Sequence, residues 1–265
     1  FFFFFSEAAG NRARHALPGG TGDDDFELVT SGATVNVEAG GLLQGRVSLT
    51  DADDTLNIAG DFRASGVSLF GAGDDALVNT GTVHIIDGAA GFDGLERFEN
   101  QGLLNLADGS ADDSIDFTGI AFTGGTDSVL AFDVLRQSDG TVAADSIAFG
   151  DVDGTTTIRI AGDEDLTLDT AVGLITFNGT VADGAFRIDA ETADAGFMQW
   201  RLVQGASGLA LATSPDAEVF EVAQAGGIAT GFWHRSADAF SPRSPQTASK
   251  LRSAFSSSSF KGLFV

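Results

Sequence analysis

The sequence contains no cysteine and no tyrosine, and only four prolines and two lysines occur among its 265 residues. Because cysteine is absent, disulfide bonds, thiolate nucleophiles and zinc–thiolate sites are excluded. No run of 18 or more apolar residues occurs, which excludes a transmembrane helix. A chain without disulfides must be held by another repeated interaction, and a long β ladder is one such interaction.

Basic residues are also scarce in most of the chain. Residues 23–233 carry 36 Asp and Glu against seven Arg, whereas residues 234–265 carry five Lys and Arg against one Asp. An acidic body repels the phosphates of nucleic acids and anionic membranes, and it attracts cations. We therefore expect no nucleic-acid partner, and we interpret the basic, Ser-rich residues 244–265 as a flexible tail.

Short alternations of apolar and polar residues are abundant, while helical periodicity is almost missing from residues 23–220. Gly, Asp or Asn flanks each alternation, which is the signature of short strands joined by turns. The alternations are Thr34–Val37, Arg46–Leu49, Thr82–Ile85, Leu103–Leu106, Thr157–Ile160, Leu166–Leu168 and Phe186–Ile188.

Two elements recur at a loose period near 20 residues. Asn precedes Gly at Asn57, Asn79 and Asn100, and Asp stands two residues before an apolar residue at several places. Such a period, with three short strands per repeat, predicts an all-β, right-handed parallel β-helix over residues 20–215, with roughly nine coils spaced about 4.8 Å apart. Asn and Gly are expected at corners that need left-handed backbone, and stacked Asn side chains can hydrogen-bond between coils.

The two ends of the predicted solenoid differ from its middle. Residues 197–213 predict a capping hairpin with Trp200, Leu202, Leu209 and Leu211 facing inward, which covers the open end of the β-helix. Residues 216–243 lose the β alternation and are interpreted as a linker. We expect residues 1–19 to be an N-terminal segment outside the solenoid, disordered or foreign to the native chain.

Two stretches match a calcium-binding Gly/Asp repeat. "GGTGDDDFE" at residues 19–27 presents Asp24 as a ligand, and "FGAGDDALV" at residues 70–78 presents Asp75. Such a site takes oxygen ligands from two consecutive repeats, whereas each match here stands alone. We favour acidic corners of a β-coil, and we retain Asp24 and Asp75 as candidate calcium ligands.

Catalytic carboxylates are the other candidate site. A β-helix enzyme that acts on polysaccharide would use carboxylates in a groove. Adjacent residues on a strand face opposite ways, so that a neighbouring pair seldom forms a dyad, and recurrence in several coils favours a structural role. His84 is expected to face outward between buried neighbours. We therefore predict no catalytic residue and no cofactor other than calcium. The adjacent pairs are Asp53–Asp54, Asp74–Asp75 and Asp112–Asp113.

Three stretches give the chain a family resemblance. The first is the coil motif at residues 74–81, together with "FENQGLLNL" at 98–106. The second is the pair of segments Trp200-Arg201-Leu202 and Gly208-Leu209-Ala210-Leu211. The third is "GFWHRSADAFSPR" at 231–243. Over about residues 20–243 the chain resembles the passenger domain of a bacterial autotransporter (type V secretion) of the pertactin-like β-helix kind. The third stretch is similar to the segment that leads from the passenger into the membrane barrel.

The resemblance implies an extracellular or bacterial cell-surface protein with a structural or adhesive role and no enzymatic activity. Its partners would be further copies of itself, a host or cell-surface receptor, or a glycan, and a full-length precursor would carry an outer-membrane barrel. Surface loops are expected at residues 87–97 and 107–126. Two alternatives stay open: a calcium-stabilised surface-layer or RTX-like module, and an enzyme acting on polysaccharide.

Overall fold

The structure is a computed structural model, and it describes residues 4–5, 26–27, 32–162, 171–190, 194–195 and 198–215. The chain divides into two units, Phe1–Pro215 and Asp216–Val265, and all described residues belong to the first. The predicted linker at 216–243 and tail at 244–265 therefore lie outside the described residues. So does the predicted N-terminal segment, apart from residues 4–5.

The described part of the chain is built almost entirely from short β-strands, as its alternating sequence predicts. In chain order the strands are β1 (Phe4–Phe5), β2 (Phe26–Glu27), β3 (Thr34–Val37), β4 (Leu42–Gly45), β5 (Val47–Ser48), β6 (Thr55–Ile58), β7 (Asp61–Leu69), β8 (Ala76–Asn79), β9 (Thr82–Asp93), β10 (Arg97–Asn100), β11 (Leu103–Asn105), β12 (Ser114–Phe117), β13 (Ala121–Gly124), β14 (Val129–Arg136), β15 (Val142–Ala144), β16 (Ser146–Phe149), β17 (Val152–Gly154), β18 (Thr156–Gly162), β19 (Ala171–Phe177), β20 (Phe186–Ile188), β21 (Asp194–Ala195), β22 (Met198–Gln204) and β23 (Gly208–Pro215).

Three parallel faces surround one core. The first face stacks β3, β6, β8, β10, β13 and β17 in that order, and β1 adds to β3 in antiparallel orientation. The second face stacks β4, β7, β9, β11, β14, β18 and β20. The third stacks β5, β7, β9, β12, β16 and β19, because β7 and β9 run on from the second face. The predicted parallel β-helix is thus confirmed.

The repeat is regular at first and then lengthens. On the first face Thr34, Thr55, Ala76 and Arg97 pair in succession, at intervals of 21 residues. The next two intervals on this face are 24 and 30 residues, from Arg97 to Ala121 and from residue 122 to residue 152. The expected nine coils are too many for the described residues, in which the first face has six parallel strands and one further parallel bridge from Val152 to Val181. The later coils carry insertions, and the chain then turns into a hairpin.

The longest coil contains an inserted antiparallel hairpin. Strand β14 continues beyond the second face and pairs with β15 through Val134–Ala144, Leu135–Ala143 and Arg136–Val142. The hairpin tip at residues 137–141 is exposed. Sequence patterns did not indicate this hairpin.

The two predicted surface loops have different outcomes. Residues 107–113 form a loop before β12, but the rest of the predicted loop at 107–126 contains strands β12 and β13. The predicted loop at 87–97 is wrong because β9 continues to residue 93. Ala64 pairs with Ile85 and Gly66 with Ala90, so that the extra residues of β9 bulge out of the ladder without ending the strand.

Phenylalanine rings stack through the core from coil to coil. Phe92, Phe117 and Phe149 form a stacked row, with ring centroids 5.4 and 5.6 Å apart. Phe98 and Phe122 form a neighbouring row that contacts the first, with centroids 5.1 Å from Phe98 to Phe117 and 4.5 Å from Phe122 to Phe149. Aromatic pairs of this kind add about 0.5–1.5 kcal/mol beyond their burial. The ring stack therefore reinforces the backbone ladders along the solenoid axis.

The C-terminal cap is an antiparallel hairpin, as predicted. Strand β23 pairs with β19 of the third face and with β22, and the Gly205 N–H donates to the Gly208 carbonyl at the turn (2.8 Å). Trp200, Leu209 and Leu211 are buried, and Leu202 is half-buried against the core. Parallel stacking on this face therefore ends in antiparallel strands.

A column of glycines brings the coils close together at one corner. Gly60, Gly81 and Gly102 follow the first face in three successive coils, and none has positive φ. A methyl group added at Gly81 would come within 3.0 Å of three backbone atoms of residues 59 and 60, and one added at Gly102 would meet residues 80 and 81 in the same way. The expectation of left-handed backbone is wrong here: these glycines are required for close backbone approach.

Asparagines form two separate ladders, whereas the sequence suggested one. Asn57 pairs in register with Asn36 and donates to its side-chain oxygen at 2.8 Å. Asn79 lies one register position further, is fully buried, and donates to the oxygen of Asn100 at 2.7 Å. Because a shift of one residue moves a side chain to the other face of a sheet, the 22-residue step from Asn57 to Asn79 separates a half-buried ladder from an interior one. Asn100 extends the interior ladder by donating to Ser128 Oγ at 2.8 Å.

Candidate functional site

The recurring carboxylates were the main candidates for chemistry, and in the structure they connect consecutive coils. Asp54 Oδ1 accepts the Ala33 N–H, Asp75 Oδ1 accepts the Asp54 N–H at 2.6 Å, and Glu96 Oε2 accepts the Asp75 N–H at 2.7 Å. Each bond spans 21 residues, which is one coil. The carboxylates therefore satisfy backbone donors at a corner where the β ladder is interrupted.

Asp75 combines full burial with an incomplete set of hydrogen bonds. Its side chain is 0% exposed, and its Oδ2 atom has no hydrogen-bond partner among the described residues. Burial raises the pKa of Asp75 to about 6, against the lowering effect of the Asp54 N–H. Asp24, the other predicted calcium ligand, lies outside the described residues. The calcium prediction for Asp24 and Asp75 stays a prediction.

A second set of buried carboxylates lies where the hairpin β14–β15 joins the solenoid. Asp113, Asp133 and Asp145 are each at most 3% exposed. Asp145 accepts the N–H groups of Asp133 (2.6 Å) and Asp113 (3.1 Å). Burial raises the pKa of Asp113 to about 6 and that of Asp145 to about 7. The sequence signal for Asp113 and Asp145 was the Asp that precedes an aliphatic residue by two positions. Asp133 precedes Leu135 in the same way, but sequence reasoning missed it.

The adjacent carboxylate pairs point in opposite directions, as predicted. Asp54, Asp75 and Asp113 are buried, while their preceding partners are exposed. Neither group of a pair can act on the same atom as the other, so the pairs do not form dyads. The raised pKa of Asp75 and of Asp113, a property that catalytic acids share, here has burial as its main cause. The exposed partners are Asp53, Asp74 and Asp112.

His84 lies on the outer side of the second face, as the sequence predicts. Val83 and Ile85 on either side are buried, and His84 is half-buried. Its Nδ1 accepts a hydrogen bond from Asn105 Nδ2 at 3.1 Å, which places the proton of the neutral ring on Nε2. Burial lowers the pKa of His84, so the ring is neutral at physiological pH. His84 thus belongs to a polar outer column and not to a ligand cluster.

A groove of about 600 Å³ opens where β7, β9 and β12 meet on the third face. Gly91, Gly94 and Gly119 line it, together with the carboxylate-bearing residues Asp93 and Asp116. Small residues on the strand and at the corners leave the space that larger side chains would fill.

Val67 and Leu69 expose an apolar surface beside this groove. Val67 lines the groove and is 52% exposed, while Leu69, two residues further on β7, is 46% exposed. Between them Ser68 points inward and its Oγ accepts the Val47 N–H at 3.1 Å. Sequence reasoning missed this surface. Because side chains alternate along a strand, the inward-facing Phe62 and Phe70 at even positions would have predicted that Val67 and Leu69 face outward.

The described residues show neither a metal cluster nor a membrane helix. No group of three or more His, Asp or Glu side chains within them is arranged to hold a metal ion. No helix among them has the length and apolar character needed to cross a bilayer.

Comparison with known proteins identifies a structural neighbour among solved structures. No family model and no curated protein matches the sequence. Among solved structures, the Haemophilus influenzae Hap adhesin is similar, with a TM-score of 0.31 and 18% sequence identity. The match covers 69% of this chain and 24% of the Hap chain, so this chain spans about a quarter of that neighbour's length.

Proposed function

We propose that the protein is a non-enzymatic, extracellular or surface-displayed β-solenoid of the autotransporter-passenger kind, with a structural or adhesive role. The observation that supports this proposal is that the recurring polar side chains bond one coil to the next. Asp54, Asp75, Asn79 and Asn100 are buried and bonded between coils. The polar repeat therefore builds a rigid support, and the outer surface is left for recognition.

The recognition surface in this proposal is the groove on the third face with Val67 and Leu69. Exposed aliphatic side chains next to a concave surface are typical of protein-binding sites. Asp93 and Asp116 line the same groove and add negative charge. The partner that fits is a cell-surface protein that presents apolar and basic side chains. A glycan and a second copy of this chain are the other occupants that the experiment must distinguish.

The test is a cell-adhesion assay with the double variant Val67→Thr/Leu69→Thr. Threonine has the β-branched shape that strands favour, and it replaces exposed apolar surface with a hydroxyl group. We expect a loss of adhesion of about tenfold, with an unchanged melting temperature, because substitutions at exposed sites usually alter stability by less than about 0.5 kcal/mol. Val203→Thr is the matched control, since Val203 is 38% exposed on β22, a strand of the cap.

Equal adhesion by the parent and the double variant would contradict the proposed surface. Adhesion abolished by protease treatment of the cells supports a protein receptor, whereas loss after glycosidase treatment alone would replace it with a glycan. A concentration-dependent increase in mass on size-exclusion chromatography that disappears in the double variant would assign the groove to self-association instead.

The two alternatives from the sequence have direct tests. A calcium-stabilised module predicts a large increase in melting temperature in millimolar calcium, which Asp24→Ala abolishes. An enzyme acting on polysaccharide predicts cleavage of acidic or neutral glycans that Asp75→Asn or Asp113→Asn removes. Neither result is expected from the scaffold proposal.

A further inference from the structure

Three buried carboxyl groups join three separate segments of the chain at the base of the hairpin β14–β15. Asp145 follows the hairpin and bonds to the backbone of Asp133 across it and of Asp113 in the preceding coil. Asp133 Oδ2 accepts the N–H groups of Asp108 and Gly109, at 2.8 and 2.6 Å. These bonds fasten the loop at residues 107–113 to the hairpin.

Asp113 fastens the same loop to strand β9. Its Oδ1 accepts the Gly88 N–H at 3.0 Å, while its Oδ2 is buried without a hydrogen-bond partner among the described residues. Burying an ionised carboxylate costs free energy when one of its oxygens lacks a hydrogen-bond donor. The neutral acid is the form that this site accommodates at lower cost.

The charges around the cluster also favour the neutral acid. The charges that act most strongly on Asp113 are those of Asp108, Asp112 and Asp133, and all are negative. Besides burial, the negative charges of Asp133 and Asp113 raise the pKa of Asp145. When all of these groups ionise, three buried and two exposed carboxylates of like charge lie close together, and each disfavours the others.

The adjoining strands carry further charged groups, each with a hydrogen bond or an ion pair. Arg136 on β14 donates to the Gly140 carbonyl at 3.4 Å, and Arg159 on β18 pairs with Asp189 at 3.4 Å. Asp116 on β12 is exposed and accepts the Thr118 N–H.

We infer that Asp113, Asp133 and Asp145 form a pH-dependent latch, which holds the loop at residues 107–113 and the hairpin β14–β15 on the solenoid in mildly acidic solution and releases them in alkaline solution. A partner could then meet two forms of this surface, one closed and one open. This inference concerns the hairpin base and does not depend on the proposed adhesive groove.

The direction of the pH effect follows from linkage. Burial raises the pKa of Asp113 and Asp145 above the ordinary value of 3.8, to about 6 and about 7. A raised pKa means that the folded state binds the proton more tightly than the unfolded state. The stabilisation is complete below about pH 4 and is lost as the pH rises through 6 and 7. This is the opposite of the usual behaviour of a paired carboxylate.

The experiment compares hydrogen exchange of the parent at pH 5.5 and pH 8, with rates corrected for intrinsic exchange. We expect peptides covering residues 105–113 and 131–147 to lose about tenfold in protection at pH 8, whereas peptides from β4 and β22, which lie away from the carboxylates with raised pKa, keep theirs. In Asp113→Asn/Asp145→Asn the side chains are neutral at both pH values and keep one oxygen acceptor each, so that one of the two N–H bonds to residue 145 is lost at both pH values. Protection of the two segments should then be nearly independent of pH.

The control must separate the latch from the general repulsion of a chain with a net charge of −24. Asp51→Asn/Asp127→Asn removes the same number of charges at exposed positions. We expect this control to retain the local, pH-dependent loss of protection. The inference is overturned if the control and the latch variant respond alike, or if the parent loses protection uniformly along the solenoid. If the latch variant does not fold, carboxyl titration of the parent by NMR decides: apparent pKa values near 4 for Asp113 and Asp145 would refute the latch.

Discussion

The substitution Gly81→Ala tests the close stacking of coils most directly. Gly81 lies in the middle of the glycine column, and a methyl group there would approach the Gly60 oxygen and the carbonyl carbon and oxygen of Ala59 within 3.0 Å. All three are backbone atoms of the neighbouring coil, so no side chain can rotate away to make room. Relief therefore requires separation of two coils whose ladder bonds continue on both sides, with Gly81 donating to Ile58 and Thr82 to Gly60 at 2.9 Å.

Overpacking of a well-packed site lowers the free energy of unfolding by about 1–3 kcal/mol. Because the clashing atoms of residues 59 and 60 belong to the backbone, we expect a loss of about 3 kcal/mol for this substitution. For a chain of this size that corresponds to a fall in melting temperature of about 6–12 °C, measured by circular dichroism. Gly173→Ala is the matched control: Gly173 lies on β19, has no positive φ, and has nothing within 4 Å of an added methyl group. It should be neutral or stabilising by about 0.4–1 kcal/mol. Equal melting temperatures for the two variants would refute the close-approach explanation.

Three further substitutions address the core, the Asn ladder and the first acidic ladder. Phe117→Ala removes a fully buried ring from the stacked row, and urea unfolding should show a loss of about 3–5 kcal/mol. Asn100→Ala removes one of the two acceptors of the Asn79 amide, which keeps the Leu103 carbonyl, and also removes the donor to Ser128 Oγ. We therefore expect a loss of about 2 kcal/mol in the same assay, and a smaller loss from Asn36→Ala in the half-buried ladder. Burial raises the pKa of Asp75 to about 6, so the stabilisation by Asp75 is present below about pH 4 and is lost as the pH rises through 6. The melting temperature of Asp75→Asn relative to the parent should therefore be higher at pH 8 than at pH 4.5. An equal difference at both pH values would contradict this.

Sequence patterns predicted the solenoid because its strands keep their local alternation. Thr34–Val37 and Phe186–Ile188 are strands with the predicted bounds, and the C-terminal hairpin turns at Gly205 as expected. The segment 166–168 lies outside the described residues. The fold was predictable to this extent because inward and outward residues alternate with a period of two, whatever the pairing between coils.

Register and insertions were not predictable from the same patterns. Asn57 and Asn79 look equivalent in sequence, but a step of 22 residues in place of 21 puts them on different faces. The hairpin β14–β15 lacks the alternation of a solenoid strand, since residues 130–134 are buried in succession and β15 is half-buried throughout. Its antiparallel pairing does not follow from the pattern. Asp133 acquires its role from contacts with residues 108 and 109, which lie 25 and 24 positions away in sequence.

The exposed tip of the inserted hairpin has a practical consequence. Residues 137–141 are closed by their own bonds, with Gln137 donating to the Thr141 carbonyl at 2.8 Å and Gly140 to the Gln137 carbonyl at 2.9 Å. Doubling the length of such a closed segment costs only about 0.6 kcal/mol in chain entropy. A foreign epitope grafted between Ser138 and Gly140 should consequently be carried on the scaffold without disturbing its layers, which makes this tip a natural site for peptide display.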